Sequence, residues 1–264
     1  MDPQQRRRVT RTVRQSLETD ALLGLDEVPI SKQAAQSLCS SGRSTSAKPA
    51  GKKPPTEAPS IVGPDNQAKT ERLDALARQY ADGCEKCHLA QSRNKVVFGQ
   101  GAADTNLVFV GEAPGAEEDR QGLAFVGRAG QLLTRMIEAM GLKRDQVYIC
   151  NVLKCRPPGN RTPSADEIAA CSPILLQQLQ IIEPKVIVAL GAPASQTLLE
   201  TKESIGRLRG RFHDFYPSGT PLMGEPVKLM PTYHPAYLLR NPPDKRKAWE
   251  DLQLVMAELG LPLP

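Results

Sequence analysis

The 264-residue sequence predicts an α/β protein: a three-layer α/β/α sandwich around a central four-stranded parallel sheet. Three observations carry this prediction. Four short runs, 106–110 (NLVFV), 147–150 (VYIC), 185–190 (KVIVAL) and 228–232 (KLMPT), are nearly continuous in apolar residues, as strands covered on both faces are. Segments with helical spacing of apolar residues separate the runs, which is the rhythm of a parallel sheet. Each run also leads into residues suited to chemistry: Gly111-Glu112, Asn151, Gly191 and His234. Ligands of such sheets bind at the carboxyl ends of the strands.

Taken in order, residues 9–25 place Val9, Val13, Leu17, Ala21 and Leu25 four apart, the pattern of a one-sided helix. This helix is expected either to dock on an unidentified protein partner or to fold back on its own domain. Residues 39–66 hold five prolines, five serines and three glycines and read as a flexible linker. The chain therefore divides into a helix-plus-linker region, 1–66, and a folded domain, 67–264. Leu73, Leu76, Ala77 and Tyr80 give a helix leading into Cys84 and Cys87. After the first strand, Leu132, Leu133, Met136, Ile137 and Met140 mark the next helix. Helices over about 165–180 and 193–201 follow, and a last one over about 243–259 begins at Pro242-Pro243.

Composition narrows the function. The 40 % apolar content supports a real core, and no stretch approaches the roughly 20 apolar residues that cross a bilayer. Arg6-Arg7-Arg8 is followed by polar residues, unlike a signal peptide. A cytoplasmic, reducing location and a monomeric state are expected. Net charge is +5, and residues 1–66 hold ten Lys/Arg against seven Asp/Glu, so the domain itself is only weakly basic. Its cations are local: Lys154, Arg156 and Arg161; Arg207, Arg209 and Arg211; Arg240, Lys245, Arg246 and Lys247. Phosphate contact by such clusters would make binding salt-dependent.

Four of the six cysteines, Cys84, Cys87, Cys155 and Cys171, form a close pair and two distant singles. In a reducing compartment this pattern reads as one four-thiolate metal site. Zinc and an iron–sulfur cluster both suit it, and spacing does not separate them. Cys84-Glu85-Lys86-Cys87-His88 also fits a haem-attachment pattern, but that reading leaves Cys155 and Cys171 unexplained. His88 is read as an incidental neighbour, Cys150 as a core residue, and Cys39 as a free thiol in the linker.

Three segments, GEAPGAEEDRQGLAFVGRAGQLL (111–133), NVLKCRPPGNR (151–161) and HPAYLLRN (234–241), occur in this order with the four cysteines. Together they resemble the family 4, iron–sulfur, uracil-DNA glycosylases over roughly 72–258. The resemblance implies the fold of that superfamily, a [4Fe–4S] cluster on Cys84, Cys87, Cys155 and Cys171, and uracil-containing DNA as substrate. It implies hydrolysis of the uracil N-glycosidic bond to leave an abasic site, the opening step of base excision repair. Such an enzyme must take the base out of the stack and hold it in a pocket.

The residues accept these roles chemically. His234, restricted by the following Pro235, suits a donor to uracil O2 as negative charge develops there. Glu112 suits orientation of water and stabilisation of a cationic sugar. Ala113 stands where family 1 enzymes carry a catalytic aspartate, which leaves open how Glu112 and His234 divide the work. The expected substrate-binding set is Gly111, Glu118, Phe125 and Asn151. Phe125, between glycines, offers a face for stacking. The Asn151 amide has the donor and acceptor that uracil O4 and N3–H require. The family places Glu118 against uracil C5, where a thymine methyl would collide. HPAYLLRN reads as a loop entering the minor groove, with Tyr237 or Leu238 as an apolar wedge and Arg240 on phosphate. Lys154 and Arg156 are expected to support a DNA-facing loop.

Two further readings remain. One is an iron–sulfur DNA-binding scaffold of replication with little catalysis. The other is a covalent uracil-DNA binder using His213 in the arginine-rich Arg209–His213 stretch. No lysine stands among the strand-end residues, so no Schiff-base step is expected.

Overall fold

The computed structural model describes residues 62–81, 83–219 and 226–263. The helix expected over 9–25, and with it the protein partner and most of the linker, lie outside the described residues. Contacts to the folded body reach back to Val62, which forms an isolated bridge with Thr105. The side chain of Asn66 accepts from the amides of Ala103 and Asp104. The described body therefore starts slightly before the expected boundary.

Six strands form one sheet: β1 (Gln100–Gly101), β2 (Leu107–Gly111), β3 (Tyr148–Asn151), β4 (Val186–Leu190), β5 (His213–Phe215) and β6 (Val227–Thr232), in the order β1-β3-β2-β4-β6-β5. The central four, β3-β2-β4-β6, are parallel, as the apolar runs predict. Phe109 pairs with Ile149 on one side and Val188 on the other. The sheet is wider than predicted because β1 and β5 add antiparallel edges. With two and three residues, these edges are too short to leave a periodic signal. Pro231, which lacks an N–H, lies beyond the end of β5, where β6 is an edge and proline is tolerated.

Eight α-helices accompany the sheet among the described residues: α1 (Asn66–Ala81), α2 (Ala116–Gln121), α3 (Arg128–Ala139), α4 (Ala165–Ile182), α5 (Ala192–Leu198), α6 (Ile205–Leu208), α7 (Pro235–Arg240) and α8 (Lys245–Glu258). Leu73 and Leu76 of α1, Leu175 and Leu179 of α4 and Ala194 of α5 pack with Val108, Val110, Ile187 and Ala189. The alternate strand residues Phe109, Ile149, Val188 and Met230 are fully buried as well. Their face is covered by α3 and α8, whose apolar stripes include Leu132, Leu133, Met136, Leu252 and Val255. The result is the predicted α/β/α sandwich.

The chain runs from β2 outward to β3, then returns across β2 to β4. The crevice at this change of direction opens where Glu112 follows β2, the place doubly wound sheets reserve for ligands. None of the described helices is long and apolar enough to cross a membrane.

Candidate active site

Gly111 and Asn151 end β2 and β3 as paired residues. A Cβ on Gly111 would lie 2.4 Å from Asn151 Oδ1 and 2.5 Å from Phe125 Cζ. Glycine is thus what lets these two side chains close on one another. They line a cavity of about 240 Å³ together with Glu112, Glu118 and His234. Five residues singled out by the sequence therefore share one site, with Gly111 shaping it from beneath. Pro157, Asn160 and Arg161 complete the cavity from the loop after β3. Of these, sequence reasoning had placed only Arg161, and only in a basic cluster.

Asn151 is 1 % exposed, and its Oδ1 is buried without a hydrogen-bond partner. A buried unpaired oxygen costs on the order of 1–3 kcal/mol, so a native fold keeps one only for a reason. Glu112, half-buried at the cavity, is shifted by its surroundings as well. Burial alone raises its carboxyl above the usual carboxylate range, with no cation or donor opposing it.

Phe125 forms the facing wall, and its backbone has φ of +52°. This left-handed conformation is uncommon for a bulky residue. Glu118 Oε1 accepts from the amides of Val126 and Gly127 at 2.9 and 2.8 Å. Glu118 thus lines the cavity and also ties down the loop that carries Phe125. A Cβ on Gly130 would sit 1.9 Å from the Phe125 carbonyl oxygen, so the first turn of α3 must be bare there.

His234 caps α7, and its Nδ1 accepts from the Ala236 amide at 3.1 Å. Nδ1 therefore carries no proton, and the neutral ring presents Nε2–H. Burial, reinforced by the nearby Arg240 charge, lowers the His234 pKa to about 4, so the ring is neutral at physiological pH. Its centroid lies 5.7 Å from that of Phe125. Gly191, at φ +90°, gives it room: a Cβ there would come within 2.9 Å of His234 Cβ. Two residues before His234, Thr232 donates to the buried Asp251, which also takes two hydrogen bonds from Arg209. This network anchors the end of β6.

The expected DNA-contacting set needs correction. HPAYLLRN is largely helix α7, not a loop, because Pro235 occupies the first helical position and good helix formers follow. Leu238 is 1 % exposed and belongs to the core, so it cannot serve as a wedge in this conformation. Tyr237 is partly exposed, donates to Asp244 and stacks on Tyr233 at 4.9 Å between centroids. Arg240 is exposed. Lys154, expected to support a DNA-facing loop, is not a surface cation: it is buried, and its Nζ donates to the Asn151 carbonyl at 2.7 Å and to Gln178 Oε1. His213 lies on the edge strand β5, hydrogen-bonded to the Leu208 carbonyl and outside the cavity.

A second cavity is lined by Cys84, Cys87, Cys155 and Cys171. All four are free thiols. The Lys154 amide donates to Cys171 Sγ at 3.2 Å, and Arg93 Nη1 lies 3.6 Å from Cys155 Sγ. Burial pushes the Cys155 thiol up to about 11 and raises that of Cys171. The sulfurs share the cavity without closing round a point: among the described residues, no group of three or more His, Cys, Asp or Glu is arranged to hold a single metal ion. Four soft donors facing one apolar cavity, two of them supplied with N–H groups, fit a thiolate-bound cluster in their chemistry. Cys150 is wholly buried in β3 and serves packing. His88 is not incidental. Its Nε2 is 2.8 Å from Glu167 Oε1, and Arg161 binds the same carboxylate through two nitrogens.

A three-layer sandwich with this cavity at its strand ends defines a class. The family model for the Uracil DNA glycosylase superfamily matches residues 98–253, and the chain belongs to that superfamily. The type-4 uracil-DNA glycosylase of Thermotoga maritima is 49 % identical over 172 residues, covering 65 % of this chain and 85 % of the relative. That of Saccharolobus solfataricus is 42 % identical over 195 residues, with 72 % and 88 % covered. A type-5 uracil-DNA glycosylase of Pyrobaculum aerophilum is 31 % identical over 156 residues, 53 % of this chain and 66 % of the relative. The chain is a type-4 member of the superfamily.

Proposed function

We propose that this protein is a monofunctional uracil-DNA glycosylase that hydrolyses the bond between uracil N1 and the deoxyribose C1′, leaving an abasic site. The observation that carries the proposal is the unpartnered Asn151 Oδ1, buried between Gly111 and Phe125. A uracil stacked on Phe125 brings N3–H to this oxygen and O4 to the Asn151 amide nitrogen. Cytosine presents a bare N3 and an amino group, so both contacts fail and the buried polar groups stay unpaired, which is a strong form of discrimination. Glu118 stands on the cavity wall where a C5 methyl would press.

As the glycosidic bond breaks, its electron pair moves into uracil, and His234 Nε2–H donates to O2 of the forming anion. The ring needs no protonation for this, because the Ala236 amide already fixes its tautomer. The Glu112 carboxylate faces the positive charge on the sugar and orients water toward C1′. The water hydroxyl bonds to C1′, and Glu112 takes the proton. Burial makes this carboxylate more basic, which favours that step.

Cys84, Cys87, Cys155 and Cys171 are the residues that would hold a [4Fe–4S] cluster. A bound cluster supplies a crosslink between the segment before β1, the loop after β3 and helix α4, and no chemistry at the sugar. An absorption band in the iron–sulfur region, bleached by reduction, supports iron; a colourless protein that releases zinc on denaturation removes this assignment. Free cysteines suit a reducing compartment such as the cytoplasm, and the cavity is complete within one chain, as a monomer requires.

The test uses an oligonucleotide with a single uracil, treated with alkali after incubation and resolved on a denaturing gel. Strand cleavage with multiple turnover is expected. A heat-stable protein–DNA species would replace the hydrolase with a covalent binder, and intact DNA would favour a scaffold.

A further inference from the structure

Two residues of the cavity, Phe125 and Asn160, have left-handed backbone; asparagine tolerates it, so Phe125 is the bulky strained one, and the cavity does not contain everything that holds it. Two peptide planes meet at its Cα, and their relative rotation sets its φ and ψ. The plane after it is fixed from inside the site, where the Val126 amide donates to Glu118. The plane before it is fixed from outside. The Ala124 carbonyl accepts from Arg144 Nη2 at 2.5 Å and from Gln100 Nε2 at 3.1 Å. Arg144 belongs to the short turn Arg144–Gln146 ahead of β3 and does not line the cavity. Its other terminal nitrogen donates to Thr134 Oγ1 in α3 at 3.2 Å. The planar guanidinium thus spans the helix and the loop with a geometry that a flexible ammonium does not reproduce. Glu118 and Arg144, of opposite charge, grip the chain on either side of one left-handed residue.

We propose that Arg144 is a positioning residue of the excision reaction: through the Ala124 carbonyl it keeps Phe125 in the left-handed conformation that presents the ring as the stacking wall. Strained backbone persists at functional sites only where the surroundings over-determine it. Without Arg144, one plane is left with Gln100 alone, and Phe125 can relax toward negative φ and withdraw its ring. This inference rests on Phe125 being the base-stacking wall.

A double-mutant cycle on single-turnover uracil excision by the full-length protein tests it. Arg144→Met is expected to slow excision on the order of tenfold, within the range of coupling that residues sharing a backbone shift display. In a Phe125→Ala background the same substitution should have almost no effect. Arg144→Lys, which keeps a donor, should recover part of the loss and serves in the cycle if Arg144→Met folds poorly. A crystal structure of Arg144→Met should show Phe125 at negative φ. Equal losses in both backgrounds, or an unchanged φ, would overturn the proposal and leave Arg144 a general structural residue. The failure of the underlying reading looks different: Phe125→Ala alone would then excise uracil at the normal rate, and the positioning role would fall with it.

Discussion

The base cavity and the cysteine cavity lie on either side of the loop after β3, and they treat their polar groups in opposite ways. In the first, Asn151 Oδ1 has no partner, Glu112 is half-buried without a cation, and His234 keeps Nε2 for a ligand. In the second, Lys154 fills two acceptors and the sulfurs of Cys155 and Cys171 receive N–H groups, and on the helix that carries Cys171 the buried Glu167 is bound by Arg161, His88 and the Ser164 amide. Leaving buried polar groups unpaired lowers stability, while pairing them specifies geometry. The difference teaches which region waits for a substrate and which one holds the frame. Substitutions should therefore separate activity from stability in opposite directions on the two sides.

The largest effect is expected from Glu112→Gln. Excision should fall by about 10²–10⁴-fold, the usual contribution of a positioned acid–base group. Stability should move the other way. A carboxyl whose pKa is raised on folding binds its proton more tightly in the native state, so stability drops as pH rises from 4.5 through the raised value and stays lower above it. The amide removes that penalty, and the melting temperature at pH 7 should rise. A lowered melting temperature would mean that Glu112 has a structural partner and would break the contrast. His234→Ala follows, with an expected loss on the order of 10²–10³-fold, as for other donors to a developing anion. Activity near normal would remove His234 from the mechanism.

A pH profile sharpens the same contrast without changing the ground structure. Glu112 must be ionised to act, so kcat/KM should fall with acid through a pKa above the ordinary 4.5. His234 stays neutral until about pH 4 and should add no inflection above that. In Glu112→Gln the residual activity should be flat across this acid limb. A limb that persists in this variant would have to come from another group.

Much of this arrangement is legible in the sequence because it is local. Fully buried strands announce themselves as apolar runs, and their ends delivered Glu112, Asn151 and His234 to one edge. What escaped depends on distant contacts. Lys154 looks like a surface cation beside Arg156, yet Gln178, twenty-four residues on, draws it into the core. Leu238 looks like a wedge until α7 turns its face inward. Nothing in 144–146 signals that Arg144 reaches the Ala124 carbonyl, because that bond spans twenty residues and the whole of helix α3. Edge strands of two and three residues are set by their neighbours rather than by their own pattern.

The smallest effect on chemistry, and the one that tests the paired network beside the cysteines, is expected from Glu167→Gln. Glu167 is wholly buried, and Arg161, with help from the Ser164 amide and His88, holds its carboxyl down at about 2. A carboxyl depressed on folding stabilises the native state above its unfolded value of 4.5, and that contribution is lost as pH falls from 4.5 toward 2. The glutamine variant should therefore melt at a lower temperature at pH 7, and the gap to the wild type should narrow as the pH is lowered from 5 to 3. Excision per folded molecule at pH 7 should change far less than in Glu112→Gln, because Glu167 orders the frame and is not among the residues lining the base cavity. A variant that melts normally but excises poorly would show that Arg161, released from Glu167, matters to the base directly. The two regions would then form one site, and the division between frame and pocket would fail at the residue that borders both.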